Sequence, residues 1–389
     1  MNRPLVSIVT PSYNQGHFIR ATVESVLSQG YPNVEYIIMD GGSQDHTLEV
    51  LKEYSSRVRI ISEKDRGQAH AINKGFQMAK GEIVAWLNSD DTYLPGAIQH
   101  GVEGCHQYPR VGAIYGEGFQ IDYDGNIRQQ FPFTEPFNLW KLTFVLDYIL
   151  QQSVFFRRSC VEAVGWVDES LNFGMDWDLL IRLGKRFGLA YVPSKMGCLR
   201  EYGAAKSFAG GQTRFRELAA LLQKHSECRR PPGWWFYGLD TYDKIWEQRI
   251  RKVVPGFVGE TIARRFVHVC RAKIDQVYRG SQGLYSDQWV GPRFYWMLPE
   301  YARGAVIHGS IPVWAGELSG QKLQVRVNGS QVHTHAVASG NFSVHVPLAG
   351  DRAAVLRIDA KKSWMPGRHG EQIDRRRLAW RLDHIEALR

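Results

Sequence analysis

Long apolar runs are missing from this chain. No window approaches the roughly 18 continuous apolar residues of a membrane-crossing helix. Leu5–Thr10 comes at once after the start, without the basic region and long apolar core of a secretory leader. The expectation is a cytoplasmic protein with no membrane span. Cysteine is sparse: Cys105, Cys160, Cys198, Cys228 and Cys270 are odd in number and form no C-x-x-C pair. That argues against a zinc ribbon or a disulfide framework and fits a reducing compartment. No low-complexity tract is present, so disorder is not the main organisation. The chain lacks a G-x-x-x-x-G-K-[ST] loop and a G-x-G-x-x-G turn, which removes support for P-loop and dinucleotide-binding enzymes. Without a G-x-S-x-G elbow or H-E-x-x-H spacing, acyl transfer and zinc hydrolysis are also poorly supported.

What is present is a globular composition, 389 residues with 44% hydrophobic, enough for two or three domains with their own cores. Lys and Arg outnumber Asp and Glu by 48 to 39, a formal charge of +9. Such a surplus favours anionic partners: nucleotide phosphates, phospholipid headgroups or nucleic acid. Leu5–Thr10 reads as a strand ending in the loop Pro11-Ser12-Tyr13-Asn14-Gln15-Gly16, and Ile19, Val23, Val26 and Leu27 then recur at helical spacing. Val34–Met39 repeats the pattern, closing in Asp40-Gly41-Gly42-Ser43-Gln44-Asp45 before a second helix. Val58–Ile61 is a third strand, followed by Asp65-Arg66-Gly67 and the Asn73-Lys74-Gly75 stretch. Strands alternating with helices imply a parallel sheet covered on its faces.

The fourth such unit carries the chemistry. Ile83–Leu87 is a short apolar strand that switches abruptly into Asn88-Ser89-Asp90-Asp91. In open α/β sheets ligands bind beyond the carboxyl ends of the strands, and two adjacent carboxylates there call for a cation such as Mg²⁺ or Mn²⁺, commonly shared with a substrate phosphate. The alternative is that Asp90 or Asp91 caps a helix beginning near Leu94–Ile98.

Taken together, Ser7–Asn14, Asp40–Asp45, Asp65-Arg66-Gly67 with Asn73-Lys74-Gly75, and Ser89-Asp90-Asp91 resemble the motifs of a family 2 inverting glycosyltransferase of the GT-A fold, over roughly residues 1–210. The resemblance implies a doubly wound mixed α/β sheet. It also implies a nucleotide-diphosphate sugar donor held by Pro11, Tyr13, Asn14, Asp40, Asp65, Arg66 and Asp90, with Asp91 on the Mn²⁺ or Mg²⁺ ion. The family more often carries a second acid where this chain has Gly41. Arg66 is either a phosphate contact or a solvated loop residue, and Asn73 is either functional or bonded to the neighbouring loop. A nucleotidyltransferase shares the architecture, but its Gly-rich basic loop after the first strand is replaced here by Pro11–Asn14.

Beyond the acid pair, Val111–Tyr115 and Gly118–Asp122 read as two strands joined by a Gly-rich turn, and Gln151–Phe156 as an apolar strand with two amides at its entrance. Phe173-Gly174-Met175-Asp176-Trp177-Asp178 opens a helix whose apolar face is Leu179, Leu180, Ile181 and Leu183. By resemblance Asp176 is the catalytic base, and Gln152 and Trp177 border the acceptor. Asp178, two residues on, points away from the same target. Both carboxylates could instead complement the helix start.

Residues 211–283 read as basic amphipathic helices. Between 212 and 280 there are fourteen Lys/Arg and seven Asp/Glu, with Trp234-Trp235 after Pro231-Pro232-Gly233. Either these helices pack with their bases solvated, or they meet an anionic membrane surface. No nucleic-acid motif is present, and nucleic acid is not an expected partner. From 284 to 389 the period becomes two, with an Asn328-Gly329 hairpin turn, as in a small β-sandwich. Trp289, Trp296, Trp314 and Trp364 either stack on sugar rings or fill its core. The expectation is a metal-dependent inverting glycosyltransferase that moves a sugar from a nucleotide-diphosphate sugar, with UDP as the expected nucleotide. The acceptor is expected to be a glycan or a polyprenyl-linked lipid on the inner face of the cell membrane, in surface polysaccharide or glycolipid synthesis. A non-catalytic carbohydrate-binding protein is the alternative from another class.

Overall fold

A computed structural model of the chain describes residues 3–203, 210–254, 256–348, 350–369, 372–374 and 376–389. They form two units, one of residues 1–137 with 147–221, the other of residues 138–146 with 222–389.

The first unit holds the expected doubly wound mixed sheet. Its strands are β1 (Val6–Ser12), β2 (Val34–Asp40), β3 (Arg59–Ser62), β4 (Ile83–Trp86), β5 (Thr92–Tyr93), β6 (Ala113–Ile121), β7 (Ile127–Gln130), β8 (Phe155–Arg157) and β9 (Leu189–Arg200), in the order β3-β2-β1-β4-β8-β6-β9-β5 with β7 on β6. β1 to β4 run parallel, and β8 turns the sheet antiparallel on both of its sides. The seven residues of β1 and the four of β4 are all buried, as befits strands covered on both faces. Helices α1 (Ile19–Leu27), α2 (Thr47–Lys52), α3 (Gln68–Met78), α4 (Ala97–Gln107), α6 (Arg158–Ala163) and α7 (Met175–Arg186) complete this unit with residues 211–221 of α8 (Gly211–Ser226), whose residues 222–226 fall in the other, as does α5 (Leu139–Phe144).

Two sequence expectations are corrected here. Residues 113–121 form one bulged strand rather than two joined by a turn. Its glycines serve close approach: a Cβ at Gly118 would lie 1.9 Å from the carbonyl oxygen of Gly197 on β9. The segment read as a strand from Gln151 is a 3-10 turn at Gln151–Ser153, with the strand confined to Phe155–Arg157. The turn lets both glutamine amides point inward.

In the second unit α9 (Pro232–Val253) and α10 (Gly256–Gly280) pack along each other. The expected β-sandwich follows as β10 (Trp289–Val290), β11 (Arg293–Leu298), β12 (Gly304–Ile311), β13 (Gln321–Val327), β14 (Gln331–Val337), β15 (Gly340–Pro347), β16 (Ala354–Ala360), β17 (Gly367–His369), β18 (Gln372–Asp374) and β19 (Trp380–Leu388). Two four-stranded sheets, β10-β19-β12-β15 and β11-β16-β13-β14, enclose one apolar core around Ile307, Leu323, Val325, Leu356 and Trp380. Asn328 and Gly329 take positive φ values, 50° and 78°, which makes the hairpin between β13 and β14. Trp289 is buried, Trp296 and Trp364 pack partly against the core, and Trp314 is 69% exposed.

Candidate active site

The loops at the carboxyl ends of β1, β2 and β3 are tied to each other. Asp40, the last residue of β2, is buried, and its Oδ2 accepts from the backbone N–H of Gly42 (3.1 Å) and Ser43 (3.0 Å) and from Ser62 Oγ (2.6 Å). A carboxylate with that many donors fixes the loop's shape. Asn14 has φ 53°; its N–H donates to Ser43 Oγ and its Oδ1 accepts from the N–H of Gln44, both at 2.8 Å, so the first loop is buttoned to the second. Pro11 is buried within β1 opposite Met39, and Tyr13 stands 58% exposed. Gly41 stands where the family more often carries a second acid, and a side chain there would have to displace the Asp65 carboxylate. A Cβ there would sit 2.7 Å from Asp65 Oδ2 and 3.4 Å from the Tyr13 ring. The carboxylate beside the loop thus comes from Asp65, which also accepts from the N–H of Gly67 (2.8 Å). Tyr13, Gly41 and Asp65 meet at one place.

The acid pair sits past the end of β4. Asp91 is 1% exposed; its Oδ2 accepts from Gln152 Nε2 (2.5 Å) and Asn88 Nδ2 (3.0 Å), and its Oδ1 from the N–H of Arg200 (2.8 Å). Asp90 is half-buried and accepts from the Tyr202 hydroxyl at 3.0 Å. The guanidinium of Arg200 does not pair with either carboxylate: it donates to the carbonyl oxygens of Asp90 (2.7 Å), Asp122 (2.9 Å) and Tyr123 (2.7 Å). Burial, then the Asp90 charge, pushes Asp91 up to about 8, and burial raises Asp90 as well. Among the described residues neither is ion-paired. Helix capping does not account for them, because α4 begins at Ala97 behind Gly96 with no side-chain cap. Two adjacent carboxylates with no ion pair among the described residues are the oxygen donors that a hard divalent cation takes, so the residues present fit one. Asp90 is the arm open to a ligand; Asp91 is the buried arm.

The start of α7 is the third component. Glu217 of α8 accepts from the backbone N–H of Asn172 (3.0 Å), Phe173 (2.6 Å) and Gly174 (2.9 Å), filling the anion site just ahead of the helix. Neither Asp176 nor Asp178 does that work. Asp178 is fully buried and accepts from Arg182 Nε at 2.7 Å, while the rest of that guanidinium grips the carbonyls of Val164 and Trp166 at 2.7 Å. Asp176 is half-buried and accepts from the N–H of Trp177 at 2.9 Å. Close enough to feel it is Asp147, which burial and the Asp176 charge hold well above the usual carboxylate range.

The remaining predicted residues divide. Gln152 is brought onto Asp91, and its neighbour Gln151 donates to the Trp86 carbonyl at 2.9 Å. Trp177 is 1% exposed, which leaves its ring no open face for an acceptor. Arg66 is paired with Glu169 at 2.7 Å, with its side chain 72% exposed. Asn73 holds the same turn, bonding both the N–H (3.0 Å) and C=O (2.9 Å) of Val167 and Glu169 (3.0 Å), the loop contact weighed for it from the sequence. Sequence reasoning missed Asp147, Arg200, Tyr202 and Glu217. Arg200-Glu201-Tyr202, a base and an aromatic at the end of β9, was the one signal available for two of them.

Residues 7–162 match the family model for glycosyl transferase family 2, and the first unit carries a domain of that family. An uncharacterized glycosyltransferase of Rickettsia typhi is 29% identical over 187 residues, 45% of this chain and 57% of that protein. Chondroitin synthase of Escherichia coli is 30% identical over 185 residues, 47% of this chain and 27% of that enzyme. The chain spans about half the length of the first curated relatives it matches, 57% for the Rickettsia typhi protein. Among solved structures, a mannosyltransferase from Pyrobaculum calidifontis aligns with a TM-score of 0.47 at 15% identity, covering 72% of this chain and 85% of that one.

Proposed function

We propose that this chain, a glycosyltransferase by its family 2 domain, transfers a sugar from a nucleoside-diphosphate sugar to a glycan or polyprenyl-linked acceptor with inversion at the anomeric carbon. The observation that carries the reading is the adjacent Asp90–Asp91 pair, without an ion pair among the described residues, beside the interlocked loops of Tyr13, Asn14, Asp40 and Asp65. Asp40 and Asn14 pre-shape the loop for the base and ribose, and Tyr13 and Asp65 line it. A divalent cation on the acid pair, Mn²⁺ or Mg²⁺, would offset the negative charge that develops on the departing diphosphate. Gln152 and Asn88 orient Asp91, and Tyr202 orients Asp90. Asp176 accepts the proton of the acceptor hydroxyl as it attacks from the face opposite the leaving nucleotide. Arg66 joins the donor contacts only by leaving Glu169. The name of the Escherichia coli relative, a polysaccharide synthase, points toward a glycan acceptor.

The test is a thermal-shift panel of UDP, GDP, CDP and dTDP with and without Mn²⁺, run on the native protein, Asp90→Asn and Asp91→Asn. A ligand that binds only the folded state raises its melting temperature. One diphosphate, with UDP expected, should do so in a Mn²⁺-dependent way, and each variant should lose that dependence. No shift with any diphosphate, metal present or absent, would sink the reading.

A further inference from the structure

The hairpin of α9 and α10 concentrates its charge at one end. Only Val254 and Pro255 lie between the helices in sequence, so residues 249–265 form the tip. That stretch carries five Lys/Arg (Arg249, Arg251, Lys252, Arg264, Arg265) and one acid, Glu260. The rest of the two helices, 232–248 and 266–280, carries four of each sign. The hairpin's whole positive surplus is therefore at its tip. The same end is apolar and open: Val253 is 78% exposed, Val258 61% and Ile262 46%, with Trp246 at 48% one turn behind. Trp246, Arg249 and Val253 fall on one face of α9, and Val258, Ile262 and Arg265 on one face of α10, by the three- and four-residue spacing of a helix. The Arg249 guanidinium lies over the Trp246 ring at 5.4 Å, while Lys252 and Arg265 are exposed.

Simple solvation accounts for the bases but not for branched apolar side chains set among them. An interior partner would cover the valines but would not call for a charge of one sign. A bilayer with anionic headgroups satisfies both at once: bases meet phosphate-level charge, and short apolar side chains and an indole enter the headgroup boundary. We propose that this hairpin tip docks the protein on an anionic lipid surface, with Val253, Val258 and Ile262 inserted and Arg249, Lys252 and Arg265 on the headgroups. No helix of the described residues is long and apolar enough to cross a membrane, so the docking is peripheral. The inference rests on unit two alone and stands or falls apart from the transfer reaction.

The experiment is co-sedimentation of the full chain with vesicles of phosphatidylcholine alone or mixed with phosphatidylglycerol, at low and high salt. Binding should require phosphatidylglycerol and fall as salt rises. Arg249→Glu with Lys252→Glu should cut partitioning by at least tenfold, since each base near such a surface is worth about fivefold. Val253→Ser with Val258→Ser should weaken it with charge unchanged, and Arg271→Glu, in the charge-balanced half, should leave it within about twofold of native. Equal melting temperatures would show that the variants fold. Absence of native binding to anionic vesicles at low salt overturns the proposal. So does a native dimer that Val253→Ser with Val258→Ser converts to monomer, which would assign the tip to a second copy, or binding to duplex DNA without binding to vesicles.

Discussion

At the start of α7 two carboxylates two residues apart have different fates, and the difference is burial. Asp178 is closed in with Arg182, whose other donors hold two carbonyls, so its loss would leave a half-buried cation without its anionic partner. Asp178→Asn should cost on the order of 1–3 kcal/mol, read from urea unfolding. Asp176→Asn should not lower the melting temperature, since it removes a charge that raises Asp147, and should leave donor binding unchanged while turnover falls about 10²–10⁴-fold. Normal turnover in Asp176→Asn would remove it as the base. The sequence supplied both acids and the helical offset between them, but not that Arg182 would fold back on the second. Asp147 was invisible for a related reason, since nothing in its own stretch announces Asp176 as a neighbour. Its carboxyl is raised in the fold by burial and by the Asp176 charge, so the folded state keeps a proton that the unfolded chain releases. Stability from this group is then full below the ordinary carboxylate value and is lost as pH rises toward the raised one. Asp147→Asn removes that dependence. Its melting temperature relative to native should therefore be higher at pH 7 than at pH 4, and an equal difference at both would contradict the assignment.

Elements with strong period were legible, and elements shaped by a neighbour were not. β1, β2 and β4 could be read because each is an apolar run ending in a polar loop, and the acid pair because it follows such a run. The sandwich strand β13 was readable from Leu323, Val325 and Val327 alternating with Gln324 and Arg326. β6 was misread because Gly116 and Gly118 look like a turn when no partner strand is in view, whereas they exist to admit the carbonyls of β9. The 3-10 turn at Gln151–Ser153 escaped because its amides are spent on Trp86 and Asp91, far away in sequence. Gly118→Ala should cost on the order of 1–3 kcal/mol by forcing β6 from β9. Because β9 ends in Arg200, whose N–H reaches Asp91, the variant should also weaken Mn²⁺-dependent nucleotide binding, and a stability loss with native nucleotide affinity would show that the strand shift does not reach the site.

For the whole molecule the division along the chain is not the division in space. Residues 138–146 leave the first unit's sequence and join the second, where Leu139, Trp140 and Leu142 are buried. Trp140 stacks on Tyr295 with ring centroids 5.6 Å apart, and Asn138 exchanges hydrogen bonds with Gln282 at 2.8 and 3.3 Å. Composition could mark residues 131–150 as aromatic and proline-rich, but not which core would claim them. A cut after Ser226, which leaves α8 whole, therefore separates α5 from the unit that buries it. Each of its three apolar side chains then loses about 1.5–3 kcal/mol of burial and faces water as a patch on the excised first unit. Residues 1–226 alone should bind a hydrophobic dye and self-associate on size exclusion, and Trp140→Ser with Leu142→Ser should restore a monodisperse species. A fragment that is monomeric and dye-negative with Trp140 and Leu142 intact would mean that α5 has a resting place within the first unit.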